Sequence, residues 1–181
     1  MNQISVLGIF VADLCFFSND IPIRGQTILG TKHTIGPGGK GSNQAVAAAR
    51  SGGNVNFITK IGEDAYGEIA LSLYRESGVS LDSIIIDSDL STGVAGIFID
   101  ETTGDNIINV VPAAADKLQP KDIDNHLESL KNSKVFLTQL ETPMETTLYG
   151  LDKAKQFECL TILNPAPAAE LHEGVFKSID F

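Results

Sequence analysis

The sequence has 181 residues, a formal net charge of −10 and a pI of about 4.6. That excess of acid argues against a nucleic-acid footprint, which concentrates Lys and Arg on one face, but leaves room for an anionic ligand met by local backbone amides. With 43% hydrophobic and 20% charged residues, the chain can form one domain with a real core, or one domain with a small appendage. Cys15 and Cys159 stand far apart, in no C-x-x-C pair and beside no histidine cluster. They are expected to be reduced thiols of a cytoplasmic protein rather than zinc ligands or a disulfide. The stretch from Met1 to Gly8 lacks the basic region and apolar length of a signal peptide. No segment approaches the roughly 20 apolar residues of a membrane span.

In chain order, Ile4 to Ile9 is a short, β-branched, apolar run suited to a buried parallel strand. Phe16 to Ile35 changes texture, with turn residues at Ser18, Asn19, Asp20, Pro22 and Gly25. Brief strand-like pieces at Gln26 to Leu29 and Lys32 to Ile35 make it a small β excursion. A glycine-rich turn then leads into an alanine-rich helix from Gln44 to Arg50, stopped by Gly52 and Gly53. Asn54 to Ile61 is a predicted strand. Asp64 is the expected N-cap of a helix over Ala65 to Glu76, with Gly78 as the residue that ends it. Ser83 to Asp87 is a further short strand.

Val94 to Ile99 and Asn106 to Val111 form a hairpin around Gly104. A helix is predicted from Pro120 to about Leu130, and a strand from Lys134 to Leu140. Thr142-Pro143-Met144-Glu145 has the spacing of a capping box with proline at the first helical position, opening a helix to about Gln156. Leu160 to Leu163 is a strand, and Lys177 to Phe181 begins another strand pattern, so the chain is expected to be truncated there. His33, His126 and His172 show no metal-ligand spacing. Strands alternating with helices of about ten residues imply a parallel sheet of βαβ units, and the two β insertions imply a small sheet standing off it.

The glycine-rich turn reads Gly36-Pro37-Gly38-Gly39-Lys40-Gly41-Ser42-Asn43. It is not a P-loop, because Gly41 follows Lys40 and Thr34 occupies the first glycine position. Nor is a dinucleotide fingerprint present after Gly8. What remains is either a tight turn with a solvated lysine or a polyol site, in which backbone amides, Lys40 and Asn43 hydrogen-bond hydroxyls.

The segment Gly38 to Gly62, GGKGSNQAVAAARSGGNVNFITKIG, resembles the N-terminal signature of the PfkB family of carbohydrate kinases, in their ribokinase-like form. Further elements stand in the same order: Val6-Leu7-Gly8 with Ala12-Asp13, Gly62-Glu63-Asp64 with Gly67, Ser91-Thr92-Gly93-Val94, Gln139-Leu140-Glu141-Thr142-Pro143 and Asn164-Pro165-Ala166-Pro167-Ala168. The resemblance spans the whole chain. It implies a Rossmann-type α/β/α sandwich with a mainly parallel sheet and a β lid. Residues 1–13, 37–92 and 112–181 would form the core, incomplete at the C-terminus, and 14–36 and 93–111 the lid.

It also implies a sugar site in which Asp13, Asn43 and Glu141 hold hydroxyls and Gly39, Lys40 and Gly41 form the adjoining wall, with Val11 beside them and Asn164 as a further candidate. Asp13 and Glu141 fall where ligands sit in open α/β sheets, beyond the carboxyl ends of strands. Structural alternatives stay open: Asp13 as a turn cap, Glu141 as a solvated carboxylate before a helix, Lys40 as a surface lysine and Asn164 as an Asn-Pro turn.

The implied activity is ATP-dependent phosphorylation of a sugar hydroxymethyl group, with ribose as the leading substrate. Val11 departs from the pattern, since ribokinases place a sugar-binding asparagine there. That departure opens another pentose, a hexose, a sugar acid or a nucleoside. The implied cofactors are ATP and Mg²⁺, with K⁺ as a further candidate. The N-x-x-E and G-A-G-D motifs that would serve them, the latter carrying the catalytic base, are expected beyond Phe181. The chain is therefore expected to be an inactive sugar-binding half whose lid pairs it as a homodimer. A shortened, non-catalytic paralogue that senses sugar or dimerises is the alternative.

Overall fold

The computed structural model describes residues 3–181; residues 1 and 2, the start of the segment 1–13 assigned to the core, lie outside the described residues. The strands are β1 (Gln3–Leu7), β2 (Val11–Ser18), β3 (Lys32–Gly38), β4 (Asn54–Gly62), β5 (Val79–Ser80), β6 (Ile84–Asp87), β7 (Gly93–Asp100), β8 (Asn106–Val111), β9 (Ser133–Thr138) and β10 (Leu160–Leu163). The helices are α1 (Lys40–Arg50), α2 (Ala65–Ser77), α3 (Pro120–Asp124), α4 (Leu127–Lys131) and α5 (Met144–Gln156), with 3₁₀ turns at Ala113–Lys117 and Glu173–Ser178.

The main sheet runs β10-β9-β1-β4-β5, with β6 pairing the far end of β4, and every pairing in it is parallel. Its faces are covered separately. Val6, Val55, Phe57 and Ile61 pack against Ala45, Val46, Ala70, Leu71 and Tyr74 of α1 and α2. On the other side Leu7, Ile58 and Phe136 meet Ile123, Leu130, Leu151 and Ala154 of α3, α4 and α5. A strand covered on both faces has no solvent side, so β4 is buried from Val55 to Gly62. The fold is thus an α/β sandwich built on a parallel sheet, with a small mixed sheet beside it.

The second sheet is β3-β2-β7-β8. β2 pairs β3 antiparallel and β7 parallel, and β7 pairs β8 antiparallel. β2 begins at Val11, so the stretch from Val11 to Asp13 belongs to this sheet by hydrogen bonding. Its outer strand β8 is exposed along its whole length although it reads Asn-Ile-Ile-Asn-Val-Val.

A buried ion pair ties the exit of that sheet to the core. The Lys60 ammonium of β4 lies 3.1 Å from Asp122 Oδ2 in α3 and donates to the Lys117 carbonyl at 3.1 Å, at the end of the 3₁₀ turn that follows β8.

Several local expectations are met. Asp64 caps α2 by accepting from the Gly67 N–H at 2.9 Å, and Gly78 ends it in the left-handed region with φ 79°. Others are corrected. Gln26 to Leu29 is not a strand: the Gln26 N–H turns back to the Ile23 carbonyl, and Leu29 is almost wholly exposed, with no partner strand beside it. Helix α1 starts at Lys40, four residues before Gln44, because a carboxylate from elsewhere caps it. The predicted helix to Leu130 breaks at Asn125 and His126 into α3 and α4, which lets both Ile123 and Leu130 reach the same cluster.

The Thr142–Glu145 capping box does not form. Pro143 takes the N-cap position without a side-chain cap, while the buried Thr142 hydroxyl bonds Thr147 Oγ1 at 2.6 Å. Lys177 to Phe181 is a 3₁₀ turn and a short tail rather than a strand, although Phe181 exchanges backbone hydrogen bonds with Thr161 and Leu163 of β10.

Candidate functional site

The carboxyl end of β1 meets the first turn of α1 without side chains between them. A Cβ on Gly8 would lie 2.6 Å from Gly41 Cα, and one on Gly41 would lie 2.6 Å from Gly8 Cα. Gly39, just before α1, has φ 91°, and a Cβ there would run into the Ile9 carbonyl oxygen. Glycine is therefore required at all three positions for steric reasons, and at Gly39 for its dihedral as well. Gly38 matters too, since a Cβ on it would overlap the Asp13 carboxylate. Gly38 is a site residue that the sequence reading does not single out; its place directly before Gly39 is the signal that points to it.

β9 delivers the other wall. After it, Gln139 is buried and its amide donates to Gln44 Oε1 at 2.5 Å, joining the β9 loop to α1. Two residues on, Glu141 accepts from the Lys40 N–H at 2.8 Å through Oε2 and from the Lys40 ammonium at 2.9 Å through Oε1. The Glu141 side chain is only 9% exposed. One residue thus satisfies both carboxylate oxygens, as a helix cap and as an ion pair. The Lys40 side chain is 43% exposed but ion-paired, and Glu141 is not a free carboxylate.

Asp13 faces the same space. Its carboxyl is pushed above the ordinary aspartate value, chiefly by burial and then by the negative charge of Glu141. The Lys40 ammonium pairs with Glu141. With the folded pKa raised, Asp13 contributes stability below the unfolded value of 3.8 that is lost as pH rises through the folded value. Ligand binding that uses the ionised carboxylate runs the other way. Affinity for a ligand held by that carboxylate is expected to fall on acidification at a pH above that of an ordinary aspartate, and Asp13→Asn should remove that inflection from a titration series. A profile unchanged by the substitution would take Asp13 out of the site.

Val11, Asp13, Gly39, Lys40, Gly41 and Glu141 are therefore gathered where β1, β2, α1 and β9 converge. Asn43 stands exposed in the first turn of α1, outside the Lys40–Glu141 hydrogen bonds. Asn164 is brought alongside by its N–H bond to the Thr138 carbonyl at 2.9 Å and by the Leu140 N–H bond to Ala166 at 3.1 Å.

The arrangement suits a neutral polyol better than a phosphate. In the first turn of α1 the Lys40 N–H is held by Glu141, the Ser42 N–H by the Ile9 carbonyl at 3.3 Å and the Asn43 N–H by the Gly39 carbonyl at 2.9 Å. A helix start so occupied offers little to an anion. Among the described residues no group of three or more His, Cys, Asp and Glu side chains is placed to hold a metal ion. The start of α1 therefore has few free donors for ATP phosphates. No helix of the described residues is long and apolar enough to cross a membrane.

The chain belongs to the pfkB family of carbohydrate kinases, whose family model matches residues 1–180. It is 39% identical over 173 residues to the ribokinase of Bacillus subtilis, covering 96% of this chain and 58% of that protein. It is 34% identical over 166 residues to the deoxyribokinase of Salmonella typhi, covering 92% and 54%. The structure of Arabidopsis thaliana ribokinase complexed with ribose and ATP superposes with a TM-score of 0.84 at 26% identity, over 99% of this chain and 58% of that one. The chain thus spans a little over half the length of these relatives.

Proposed function

We propose that this chain carries the sugar-binding half of a kinase that moves the γ-phosphoryl group of ATP to the hydroxymethyl group of a sugar of the ribose type. The observation that carries the reading is the pair of acids at the convergence of β1, β2, α1 and β9. Glu141 is fixed by Lys40 and Asp13 stands opposite, both aimed where ligands bind in open α/β sheets. Carboxylates accept several O–H hydrogen bonds each, and two of them in a half-buried cleft match a polyhydroxylated, uncharged ligand. The sugar, ribose or a close relative, is what the ribokinase and deoxyribokinase relatives support. ATP and Mg²⁺ would be held by residues other than these, and the phosphoryl chemistry would be supplied there. The role of this half is to bind and orient the sugar, with the second sheet acting as a lid that excludes water.

The test has two parts. Calorimetric titration of the folded chain with ribose and related sugars should give heat, while ATP gives none. A coupled assay with ATP, Mg²⁺ and sugar should show no turnover by these 181 residues. Turnover would overturn the assignment of a sugar-binding half, and the absence of heat from every sugar would overturn the site.

A second copy of the chain is the proposed partner. Phe16, Ile35, Phe98, Ile107, Ile108 and Val111 of the small sheet are all exposed large apolar side chains, on or beside an outer strand with an open edge. Apolar surface of this kind marks an interface. In light-scattering chromatography the chain is expected to run as a dimer, and Ile107→Glu should shift it to a monomer. A wild-type monomer at high concentration would remove the partner.

A further inference from the structure

Between Thr138, where β9 ends, and Met144, where α5 begins, the chain belongs to no helix or strand, yet Gln139, Leu140 and Thr142 are buried. Side chains do much of the holding there, and two of them reach α1. Gln139 Nε2 donates to Gln44 Oε1 at 2.5 Å, and Glu141 takes the Lys40 N–H and ammonium. Lys40 and Gln44 are four residues apart, so the loop grips one face of α1 on two successive turns. Gln139 is only 1% exposed, and its carbonyl oxygen receives no hydrogen bond. An acceptor buried without a donor is costly, so its place calls for a reason. The oxygen stands 2.6 Å from where a Cβ on Gly8 would lie and 2.8 Å from the same position on Gly41. The hydrogens that the glycines carry in those directions point at it, as in the weak Cα–H···O contacts of closely packed backbones. One buried amide thus touches the end of β1 and two turns of α1 from the β9 loop.

We infer that Gln139 is a positioning residue of the sugar site: by joining the end of β1, α1 and the β9 loop, it sets where the Glu141 carboxylate stands relative to Asp13. The inference rests on the sugar-binding reading above and deepens it. Gln139 is closed off from solvent and touches no ligand itself. It acts through Glu141, two residues further along the same loop. Two contacts with α1 fix the direction of the loop, where one would let it pivot. An aliphatic side chain of similar length at 139 would fill the space but leave the Lys40 pair as the remaining side-chain link to α1, and the Lys40 side chain is 43% exposed. Glu141 would then no longer be held in one place opposite Asp13.

The probe is D-ribose, titrated calorimetrically into the wild-type chain and into Gln139→Met, each folded by circular dichroism. Affinity is expected to fall about tenfold in the variant, the scale of one lost hydrogen bond. A second readout separates positioning from packing alone. The Asp13 carboxyl is held up in part by the charge of Glu141. Its midpoint in an NMR titration without sugar should therefore move down, toward that of an ordinary aspartate, as Glu141 swings away in Gln139→Met. Gln44→Met removes the same hydrogen bond from the other side and should produce both changes, which keeps the test open if Gln139→Met does not fold. An Asp13 midpoint that stays where the wild type has it would overturn the positioning role, and so would an unchanged affinity for ribose. No heat from ribose in the wild type would count against the sugar-binding reading instead, and the Asp13 titration would then judge Gln139 by itself.

Discussion

Glu141→Ala is expected to weaken sugar binding by about a hundredfold, measured by calorimetry on a chain that still shows native circular dichroism. The magnitude follows from the kind of hydrogen bond that alanine cannot make. A hydrogen bond to a charged group contributes about 1.5–3 kcal/mol, and a ligand hydroxyl facing the vacated space also forgoes its exchange with water. The geometry makes the effect larger than a single bond would. Glu141 binds the Lys40 N–H and ammonium together, so alanine there releases the lysine and uncaps α1 at the same time. Glu141→Gln keeps the shape but cannot neutralise Lys40, and should fall between the wild type and the alanine variant. Affinity unchanged by Glu141→Ala would exclude the β9 loop from the site.

The second large effect lies away from the ligand. Asp122→Ala is expected to lower the unfolding free energy by about 3–5 kcal/mol, read from the urea midpoint at neutral pH. The Lys60 and Asp122 side chains are only 9% and 11% exposed. Asp122 Oδ2 also accepts the Gln119 N–H at 3.0 Å, and the lysine's other partner is the Lys117 carbonyl. Removing the carboxylate leaves an ammonium in the interior with one neutral acceptor. Replacing both partners, as Lys60→Met with Asp122→Leu, should be close to neutral, because the cost belongs to the orphaned charge and not to the absence of the pair. A drop below about 1 kcal/mol for the single variant would mean that water reaches Lys60.

The difference between what can be read in the chain and what cannot follows the range of the interactions. Asp64 and Gly78 are legible because a cap and a left-handed terminus are decided within three or four residues. The glycines at 39 and 41 are legible as a pattern, but the surfaces that require them, the Ile9 carbonyl and Gly8, come from a strand some thirty residues earlier. The partnership of Lys40 with Glu141 bridges 101 residues of sequence, and no local signal announces it. The same distance effect misplaces the start of α1, since its cap is that distant carboxylate. In the other direction, the Thr142–Glu145 spacing fits a capping box and fails because Thr142 finds a closer hydroxyl in Thr147. The break in the helix after Pro120 is illegible because burial of Ile123 and Leu130 in a common cluster decides it, not propensity.

The close approach of Gly8 and Gly41 makes two distant positions behave as one. Each glycine is confined by the other's Cα, so neither can grow while the strand end and the helix start keep their distance. Once a side chain at one of them has forced β1 and α1 apart and displaced the Gln139 amide, whose Oε1 stands 2.6 and 2.8 Å from the two Cβ positions, the second change costs less than it would alone. Lineages of this fold should therefore keep both glycines or lose both. A chain carrying only one of them would hold Asp13 and Glu141 at a different separation.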